Sequence, residues 1–354
     1  MNAPERDDGY PTVRIAAVHA APVFLDREAT LDKVEALTAE AAHNGAELVS
    51  FGEAFISGYP IWNGVMPPID THDLHEQLVR SAVEVPGPAT ERLSRIADRL
   101  GIVLSVGVNE IAGHSSGQIF NSNLIFGSDG QLLNHRRKLV ATWYERLTWS
   151  HGDGFDLRPV ALDGWNLGIL ICGENTNPLA KYALIAQGER LHVASYPPTW
   201  PFDPRETSTD YDLVEAIKIR SGAHCFEGKV FAAVPATALG TDALDMVAGT
   251  DEAMRKTLLN VQSASMVMGP RGEILAGPAS GDDQILYADA NLSEAITLKR
   301  AHDVAGTYNR FDVFSLNVNA SRNVPITVSG RPAHTAPAVD LEPDLPTGDE
   351  SDRK

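Results

Sequence analysis

Three residues of the sequence have side chains suited to nucleophilic catalysis, and each stands near the end of a predicted strand. Cys172 directly follows the buried-type run 168–171. Glu53 stands at the carboxyl end of the predicted strand 46–54, and Lys138 closes another strand pattern. The carboxyl ends of strands are where α/β proteins bind ligands. Thiol catalysis needs a nucleophile, a proton acceptor and a group that stabilises developing negative charge, and these three side chains could supply them.

The chain around Cys172 predicts a strand–helix–strand unit. A helix capped within residues 175–177 ends near Gly188, and a second buried strand follows over residues 191–196. A thiol near the N-terminus of this helix would have a lowered pKa, which favours the nucleophilic thiolate. A cysteine that only fills the core would occupy the same kind of position. The charges that accompany Cys172 must therefore decide between the two interpretations.

Those charges are Glu53 and Lys138. Glu53 lies between the apolar stretches LVSFG and AFISGYP, so burial should raise its pKa toward neutrality and make it a usable base. Lys138 follows Arg136 and Arg137, and by itself it would be interpreted as a surface charge on a strand. Together Glu53, Lys138 and Cys172 form a candidate set whose catalytic interpretation depends on the motifs around them.

The sequence gives little support for a catalytic histidine or a metal site. None of the 11 histidines has an obvious partner, and His135, His192 and His224 are interpreted as structural or solvated residues. His72 and His75 are three residues apart, which does not match the zinc-binding helix motif, and no third ligand is evident. We predict no metal site. The sequence also contains no glycine motif that would cradle a phosphate.

Helix and strand patterns alternate along the chain and predict the scaffold that positions these residues. Asp129-Gly130 and the stretch 269–272 predict hairpin turns. Residues 240–262 look irregular, with one short helix. The alternation predicts an α/β domain with two layers of sheet covered by helices. The helical patterns cover residues 27–43, 73–83, 89–100, 178–188, 210–227 and 293–303, and the strand patterns cover 13–20, 46–54, 102–111, 119–127, 132–139, 159–163, 168–171, 191–196, 230–238 and 284–292.

Composition limits the class of protein. The 354 residues carry a net charge of −18, so the surface should repel nucleic acid and anionic membranes. No stretch approaches the roughly 18 to 20 apolar residues of a membrane span. Two cysteines cannot form a disulfide framework, which predicts a soluble protein of the cytoplasm. We expect a loose leader over residues 1–11, a single domain over 12–325 and a flexible acidic, proline-rich tail over 326–354.

Three irregular loops beside the predicted strand ends are rich in aromatic residues. Tyr59 and Trp62 lie in the first loop, Trp143 in the second, and Thr199 and Trp200 in the third. These side chains could line a substrate pocket or fill the core.

The motifs resemble those of the nitrilase superfamily, whose catalytic triad is Glu-Lys-Cys in this chain order. The similar segments are FGEAFISGYP around Glu53, HRRKLVATWYERLTWSHGDG around Lys138 and ICGENTNPLAKYALIAQG around Cys172. The resemblance covers roughly residues 12–325. The text CGENTNPLA-K-Y is similar to the true nitrilases rather than to the amidase, carbamoylase or biotinidase branches. Glu145 matches a second glutamate that the family keeps in its site.

The resemblance implies a four-layer α-β-β-α sandwich and a defined mechanism. Cys172 would attack the nitrile carbon to give a thioimidate, and Glu53 would move protons from the thiol and from water. Lys138, with the backbone N–H of Gly173, would stabilise charge on nitrogen and later on oxygen. Glu145 would orient Lys138 or the substrate. The implied partners are a nitrile and water, and neither cofactor nor metal is needed.

Three departures from the family pattern bear on substrate preference and assembly rather than on the chemistry. Ala141 stands in place of the usual proline after Lys138. In the stretch DVAGTYNRFDVFSL, Thr307 and Phe311 stand where histidine and proline are common. The resemblance also implies a homo-oligomer built from dimers, which in microbial nitrilases often extends into spirals or filaments.

Several functions remain open at the level of sequence. The favoured hypothesis is a nitrilase that forms a carboxylic acid and ammonia, with the loop aromatics favouring an aryl or arylalkyl nitrile over an aliphatic one. A cyanide-degrading enzyme, an aliphatic amidase or a nitrile hydratase-like enzyme that stops at the amide could use the same site. A non-catalytic scaffold would be a different class, and it predicts an unreactive Cys172 thiol.

Overall fold

The computed structural model describes residues 9–200 and 211–326. By its internal contacts the chain divides into a unit that ends at Arg322 and a second unit that begins at Asn323. All the elements described below belong to the first unit. Most of the predicted leader 1–11, and all but the first residue of the predicted tail 326–354, lie outside the described residues.

In the described part of the chain, the strands form two six-stranded mixed sheets. The first sheet has the order β12-β1-β2-β3-β4-β5 and the second has the order β11-β10-β9-β8-β7-β6. The strands are β1 (Thr12–His19), β2 (Leu48–Ser50), β3 (Val103–Ile111), β4 (Ile119–Phe126), β5 (Leu132–Arg137), β6 (Val160–Leu162), β7 (Trp165–Ile171), β8 (Leu191–Ser195), β9 (Phe231–Val234), β10 (Ser265–Met268), β11 (Ile274–Ala279) and β12 (Gln284–Asn291).

Helices cover the outer faces of the two sheets. Apolar residues of α1 and α3 pack on the first sheet, and those of α4 and α5 pack on the second. A third apolar cluster fills the space between the sheets, with Ile15 and Leu48 from one and Ile169 and Val193 from the other. The predicted α-β-β-α sandwich is confirmed. The helices are α1 (Arg27–His43), α2 (His72–Ser81), α3 (Pro88–Leu100), α4 (Pro178–Ala186), α5 (Leu213–Gly228), α6 (Thr241–Ala248), α7 (Glu252–Asn260) and α8 (Glu294–Ala301).

The strand directions bring the three candidate residues toward one end of the sandwich. β2 runs parallel to β3, and two antiparallel pairings, β3 with β4 and β4 with β5, make β5 run in the direction of β2. The segments after β2 and after β5 therefore leave the first sheet at the same edge. In the second sheet, β7 leads into the turn that carries Cys172.

Local sequence explains where several elements begin and end. The side chain of Asn177 accepts hydrogen bonds from the backbone N–H groups of Leu179 and Ala180, so it caps α4, and Pro178 occupies the first helical position. Gly130 has a φ of 76°, which suits the predicted tight turn between β4 and β5. None of the helices in the described residues is long and apolar enough to cross a bilayer.

Two predictions about elements were wrong. Residues 240–262 hold two helices, α6 and α7, where one was predicted, because the chain turns at Gly249 between them. The predicted strand 46–54 is only β2, because the chain turns away after Ser50 and the backbone N–H of Glu53 donates to Tyr196 O, beyond β8 of the other sheet, at 3.1 Å. Glu53 thus lies between the two sheets rather than on a strand.

Candidate active site

Glu53 is held at the junction of the two sheets with its side chain fully buried. Its Oε1 accepts hydrogen bonds from Lys138 Nζ at 2.6 Å and from Asn121 Nδ2 at 2.7 Å. Its backbone oxygen accepts a hydrogen bond from Thr237 Oγ1. The neighbouring Gly52 is packed so closely that an added Cβ would lie 2.3 Å from the Thr237 nitrogen, so only glycine permits this approach.

Lys138 lies between two carboxylates. Its Nζ donates to Glu53 Oε1 and, at 2.7 Å, to Glu145 Oε2, and its side chain is also buried. Glu145 is fixed in turn, since its Oε1 accepts from Tyr59 OH at 2.9 Å and its Oε2 accepts from the backbone N–H of Thr142 at 2.7 Å. Two glutamates and one lysine therefore form a single hydrogen-bonded cluster without direct exposure to water.

Burial and proximity shift the pKa values of this cluster in opposite ways. Burial raises the pKa of Glu53 to about 7, although the charge of Lys138 lowers it. This confirms the prediction that the environment would move Glu53 toward neutrality. Burial by itself would lower the pKa of Lys138, but the charges of Glu145 and Glu53 raise it well above its ordinary value. Lys138 is therefore a permanent cation, and Glu53 can exchange a proton near neutral pH.

Cys172 occupies a sharp corner at the end of β7. Its φ is 50°, in the left-handed region, and it begins a 3₁₀ turn over Cys172–Thr176 rather than an α-helix. The prediction of a lowered thiol pKa was wrong, because α4 begins only at Pro178 and burial raises the pKa of Cys172 well above its ordinary value. The charge of Glu53 raises it further. The thiol is thus protonated at rest and needs a base in order to react.

The base lies within reach. One carboxylate oxygen of Glu53, one of Glu145 and Sγ of Cys172 all lie within 4.8 Å of one another. Glu53 Oε2 accepts no hydrogen bond from any side chain or backbone group that the structure describes. This buried oxygen is therefore available to accept the proton of the Cys172 thiol.

Glu174 ties the lysine strand to the cysteine corner, and sequence reasoning missed its role. Its Oε1 accepts from the backbone N–H of Leu139 at 2.6 Å and from Arg136 Nη2 at 2.9 Å, while its Oε2 accepts from the backbone N–H of Ile171. These bonds fix the residues that flank Lys138 and Cys172 with respect to each other. The signal in the sequence was a charged residue two positions after the nucleophile.

A second buried network supports the cysteine corner from behind. Asn175 Nδ2 donates to Cys172 O at 3.1 Å, and Asn175 Oδ1 lies 3.0 Å from His192 Nε2. Glu189 then bridges His192 and His224, at 2.7 and 2.6 Å. The structural interpretation of these two histidines is confirmed. Both histidines are buried and belong to the network that holds the active-site turn, a role that no local sequence pattern indicated.

Two groups of three side chains among the described residues have the chemistry of metal ligands. One is Glu189 with His192 and His224, and the other is Glu53 with Glu145 and Cys172. In the first group each carboxylate oxygen already accepts a hydrogen bond from a histidine ring, and in the second both glutamates bind Lys138. A metal ion would have to replace these bonds. His72 and His75, in α2, belong to neither group.

A cavity of about 450 Å³ opens beside the nucleophile and has the size of a small-molecule site. Of the five aromatic-loop residues predicted for a pocket, Trp143 and Trp200 line it. The other three lie elsewhere: Tyr59 binds Glu145, Trp62 is in the core against Phe24, and Thr199 Oγ1 donates to the Leu258 and Val261 carbonyls. The cavity is lined by Thr142, Trp143, Cys172, Gly173, Pro197, Trp200, Tyr211, Leu213 and Arg220.

Comparison with known proteins gives a consistent assignment. Residues 14–300 match the family model described as Carbon-nitrogen hydrolase. An aliphatic nitrilase of Rhodococcus rhodochrous is 34% identical over 322 residues, which cover 90% of this chain and 86% of the relative. A nitrilase of Paraburkholderia phymatum is 32% identical over 95% of both chains, and an arylacetonitrilase of Hypocrea virens is 32% identical over 87% of this chain and 92% of its own.

Solved structures of the same fold are more distant in sequence. A carbon-nitrogen hydrolase from Helicobacter pylori superimposes with a TM-score of 0.64 at 21% identity, covering 83% of this chain and 94% of the other. A member of branch 10 of the nitrilase superfamily from Saccharomyces cerevisiae gives a TM-score of 0.64 at 18% identity, with coverage of 83% and 96%. At these identities the likeness establishes the fold alone.

Proposed function

Since the chain belongs to the carbon–nitrogen hydrolase family, in its nitrilase branch, we propose that it hydrolyses an organic nitrile to the carboxylic acid and ammonia. The observation that carries the proposal is the convergence of Glu53, Lys138, Glu145 and Cys172 in one buried cluster, with Cys172 facing a cavity of about 450 Å³. Glu53, Lys138 and Cys172 are proposed as the catalytic triad, and Glu145 as the residue that orients Lys138.

The first half of the reaction forms a covalent intermediate. As the Cys172 thiol gives its proton to Glu53, Sγ bonds to the nitrile carbon and one C–N π bond breaks. The nitrogen takes up this proton from Glu53, which restores the carboxylate and gives a thioimidate. Lys138 is a fixed cation beside the reacting atoms and stabilises the charge that develops on nitrogen, with the backbone N–H of Gly173 as a second donor.

The second half consumes two water molecules. Glu53 removes a proton from the first water as the water oxygen bonds to the thioimidate carbon, and passes that proton to the nitrogen. The remaining hydroxyl proton follows as the C–N bond breaks, which releases ammonia and leaves a thioester. A second water attacks the thioester carbon, the C–S bond breaks, and the acid leaves as Cys172 regains its proton. The balance is one nitrile and two waters for one acid and one ammonia, and no cofactor enters it.

Within nitriles, we propose that aryl or arylalkyl compounds are favoured over aliphatic ones. Trp143 and Trp200 line the cavity, and the ring of Tyr144 stacks on Trp200 at a centroid distance of 4.8 Å. Aromatic walls of this kind favour a flat apolar substrate.

Product analysis on a panel of nitriles tests the function. Benzonitrile, phenylacetonitrile, mandelonitrile, an aliphatic dinitrile and cyanide would be incubated with the protein, together with the matching amides. We expect equal amounts of acid and ammonia from the organic nitriles. Turnover of amides alone would assign an aliphatic amidase, and turnover of cyanide alone a cyanide-degrading enzyme. No turnover, with a Cys172 thiol that iodoacetamide does not label, would favour the scaffold.

We propose also that the chain forms a homo-oligomer. A groove of about 1000 Å³, separate from the catalytic cavity, is lined by aromatic and aliphatic side chains that include Tyr182 and Tyr308. Phe311 and Phe314 in its wall are 64% and 70% exposed, which is unusual for large apolar side chains on a monomer. A second copy of the chain would bury them.

Sedimentation velocity tests the assembly. The wild-type protein is expected to sediment with at least twice the monomer mass, because burying this apolar surface favours association. The double variant Phe311→Asp/Phe314→Asp is expected to shift toward the monomer, and Ile69→Asp, which changes another exposed apolar residue, should not. A wild-type protein that sediments as a monomer at micromolar concentration would contradict the proposal.

The domain limits and the cellular location are further proposals. A catalytic domain over residues 12–325 is supported by the family match over residues 14–300. A cytoplasmic location is supported by the state of the two cysteines, which are both free thiols. A reducing compartment would keep the Cys172 thiol competent for catalysis.

A further inference from the structure

Arg220 is the one cation among the described residues that line the catalytic cavity. It projects from α5, on the same cavity as Cys172, and its side chain is half-buried. Its Nη2 donates to the hydroxyl of Tyr211 at 2.8 Å, and Tyr211 also lines the cavity. The catalytic mechanism above makes no use of either residue.

Within residues 9–200 and 211–326, no carboxylate forms an ion pair with Arg220. The two most deeply buried cations are paired with carboxylates, Lys138 with Glu53 and Glu145, and Arg136 with Glu174. Lys229 and Arg190 donate to backbone carbonyls instead. Removing a guanidinium from water is unfavourable unless an anion compensates for the lost hydration. Arg220 has neither a carboxylate nor a carbonyl acceptor among the described residues, only the Tyr211 hydroxyl, so an anion bound in the cavity would supply the missing compensation.

The chemistry of the cavity narrows the class of this anion. The guanidinium has five N–H donors in a planar fork that matches a carboxylate, and one of its nitrogens is engaged by a neutral hydroxyl. Trp143, Pro197, Trp200 and Leu213 make the remaining walls largely apolar. A molecule with an apolar body and one carboxylate fits this combination, whereas a phosphate would leave its additional charge without a cation.

Resting on the proposed nitrile hydrolysis, we propose that Arg220 binds a carboxylate of the substrate, and that the preferred substrates are nitriles carrying a carboxylate at the end remote from the nitrile carbon. In this assignment Cys172 and Arg220 hold the two ends of the substrate. The net charge of −18 repels anions from the protein as a whole, so Arg220 has to supply the local attraction.

Matched pairs of substrates test the role of Arg220. 4-Cyanobenzoate, 3-cyanobenzoate and 5-cyanopentanoate would each be compared with the corresponding neutral amide, which has nearly the same shape. For at least one pair, the wild-type protein is expected to show a higher kcat/KM for the carboxylate. Arg220→Gln should lower this carboxylate-to-amide ratio by roughly 10- to 100-fold, mainly through KM, since one charge-assisted bidentate interaction is lost.

The control is Lys218→Gln, which removes a positive charge from the exposed side of the same helix. It should leave the ratio within about threefold of wild type, since exposed charges are screened. Arg220→Lys retains the charge without the fork, and an intermediate ratio is expected. If Arg220→Gln fails to fold by circular dichroism, the comparison between wild type and Arg220→Lys decides the question.

The outcomes separate this inference from the function on which it rests. A wild-type protein that hydrolyses neutral nitriles but shows no preference for any carboxylate would overturn the inference and leave the nitrilase standing. Equal losses on both members of each pair would also overturn it. If no nitrile is hydrolysed, the proposed function fails, and calorimetric binding of 4-cyanobenzoate to wild type against Arg220→Gln then tests the carboxylate site alone.

Discussion

Replacing Cys172 with alanine is expected to lower kcat for nitrile hydrolysis by at least about 10⁴-fold, because the covalent route disappears with the thiol. The fold should survive. The thiol contributes one small buried group at the edge of the cavity, while the hydrogen bonds of the turn come from its backbone and from Asn175 and Glu174. Single-turnover assays for acid and ammonia, with circular dichroism of the same sample, measure both parts of the prediction.

Cys225 provides the matched control, since the chain contains only two cysteines. It is fully buried in α5, within the apolar cluster that packs on the second sheet. Cys225→Ala is expected to cost about 1 kcal/mol of stability and to leave kcat within a few-fold of wild type. A Cys172→Ala protein that retains more than a few per cent of the activity would remove Cys172 from the role of nucleophile.

Replacing Lys138 with methionine is expected to abolish turnover and to destabilise the fold by about 3 to 5 kcal/mol. Methionine keeps much of the volume, but Glu53 and Glu145 then lose the cation between them and face each other in a buried site. Urea unfolding of both proteins at pH 7, followed by circular dichroism, measures the loss of stability.

The loss of stability in Lys138→Met should depend on pH in a definite direction. Lys138 lowers the pKa of Glu53, so the variant should have a still higher carboxyl pKa than the value of about 7 in the wild type. When the folded-state pKa of a carboxyl group lies above the ordinary value of 4.5, its contribution to stability is complete below pH 4.5. The contribution declines as pH rises through the folded-state pKa. The variant should therefore be more stable near pH 5 than near pH 8.

A second substitution distinguishes electrostatic from packing effects. Adding Glu145→Gln to Lys138→Met removes one of the facing carboxylates and should restore part of the stability at pH 8 without restoring activity. The single variant would contradict the assignment if it were as stable as wild type at pH 8, or if it kept a tenth of the turnover.

The sequence allowed the fold and the positions of the central residues to be predicted because both depend on local patterns. Strand patterns that end at Cys172 and Lys138 indicated the edges of the sheets, and Glu53 stood out as a charged residue between apolar stretches. The same reasoning predicted one short helix within residues 240–262, where the structure has two, α6 and α7.

What could not be predicted depends on distances between segments far apart in the chain. The thiol pKa of Cys172 is the clearest case, because burial and the charge of Glu53 raise it whereas the charge of Lys138 lowers it. The place of Arg220 on the cavity is another, since 48 positions separate it from Cys172 in the numbering and only the packing of α5 against the cysteine turn brings them together.

At position 172, selection for stability and selection for turnover favour different residues because of the backbone conformation. A φ of 50° is unfavourable for any residue with a β-carbon, by about 1 kcal/mol, and glycine would relieve it. Glycine has no thiol. A library screened only for folding should therefore drift toward glycine at position 172, whereas one screened for product should retain the strained cysteine. At this position the residue that suits the fold best cannot carry out the chemistry.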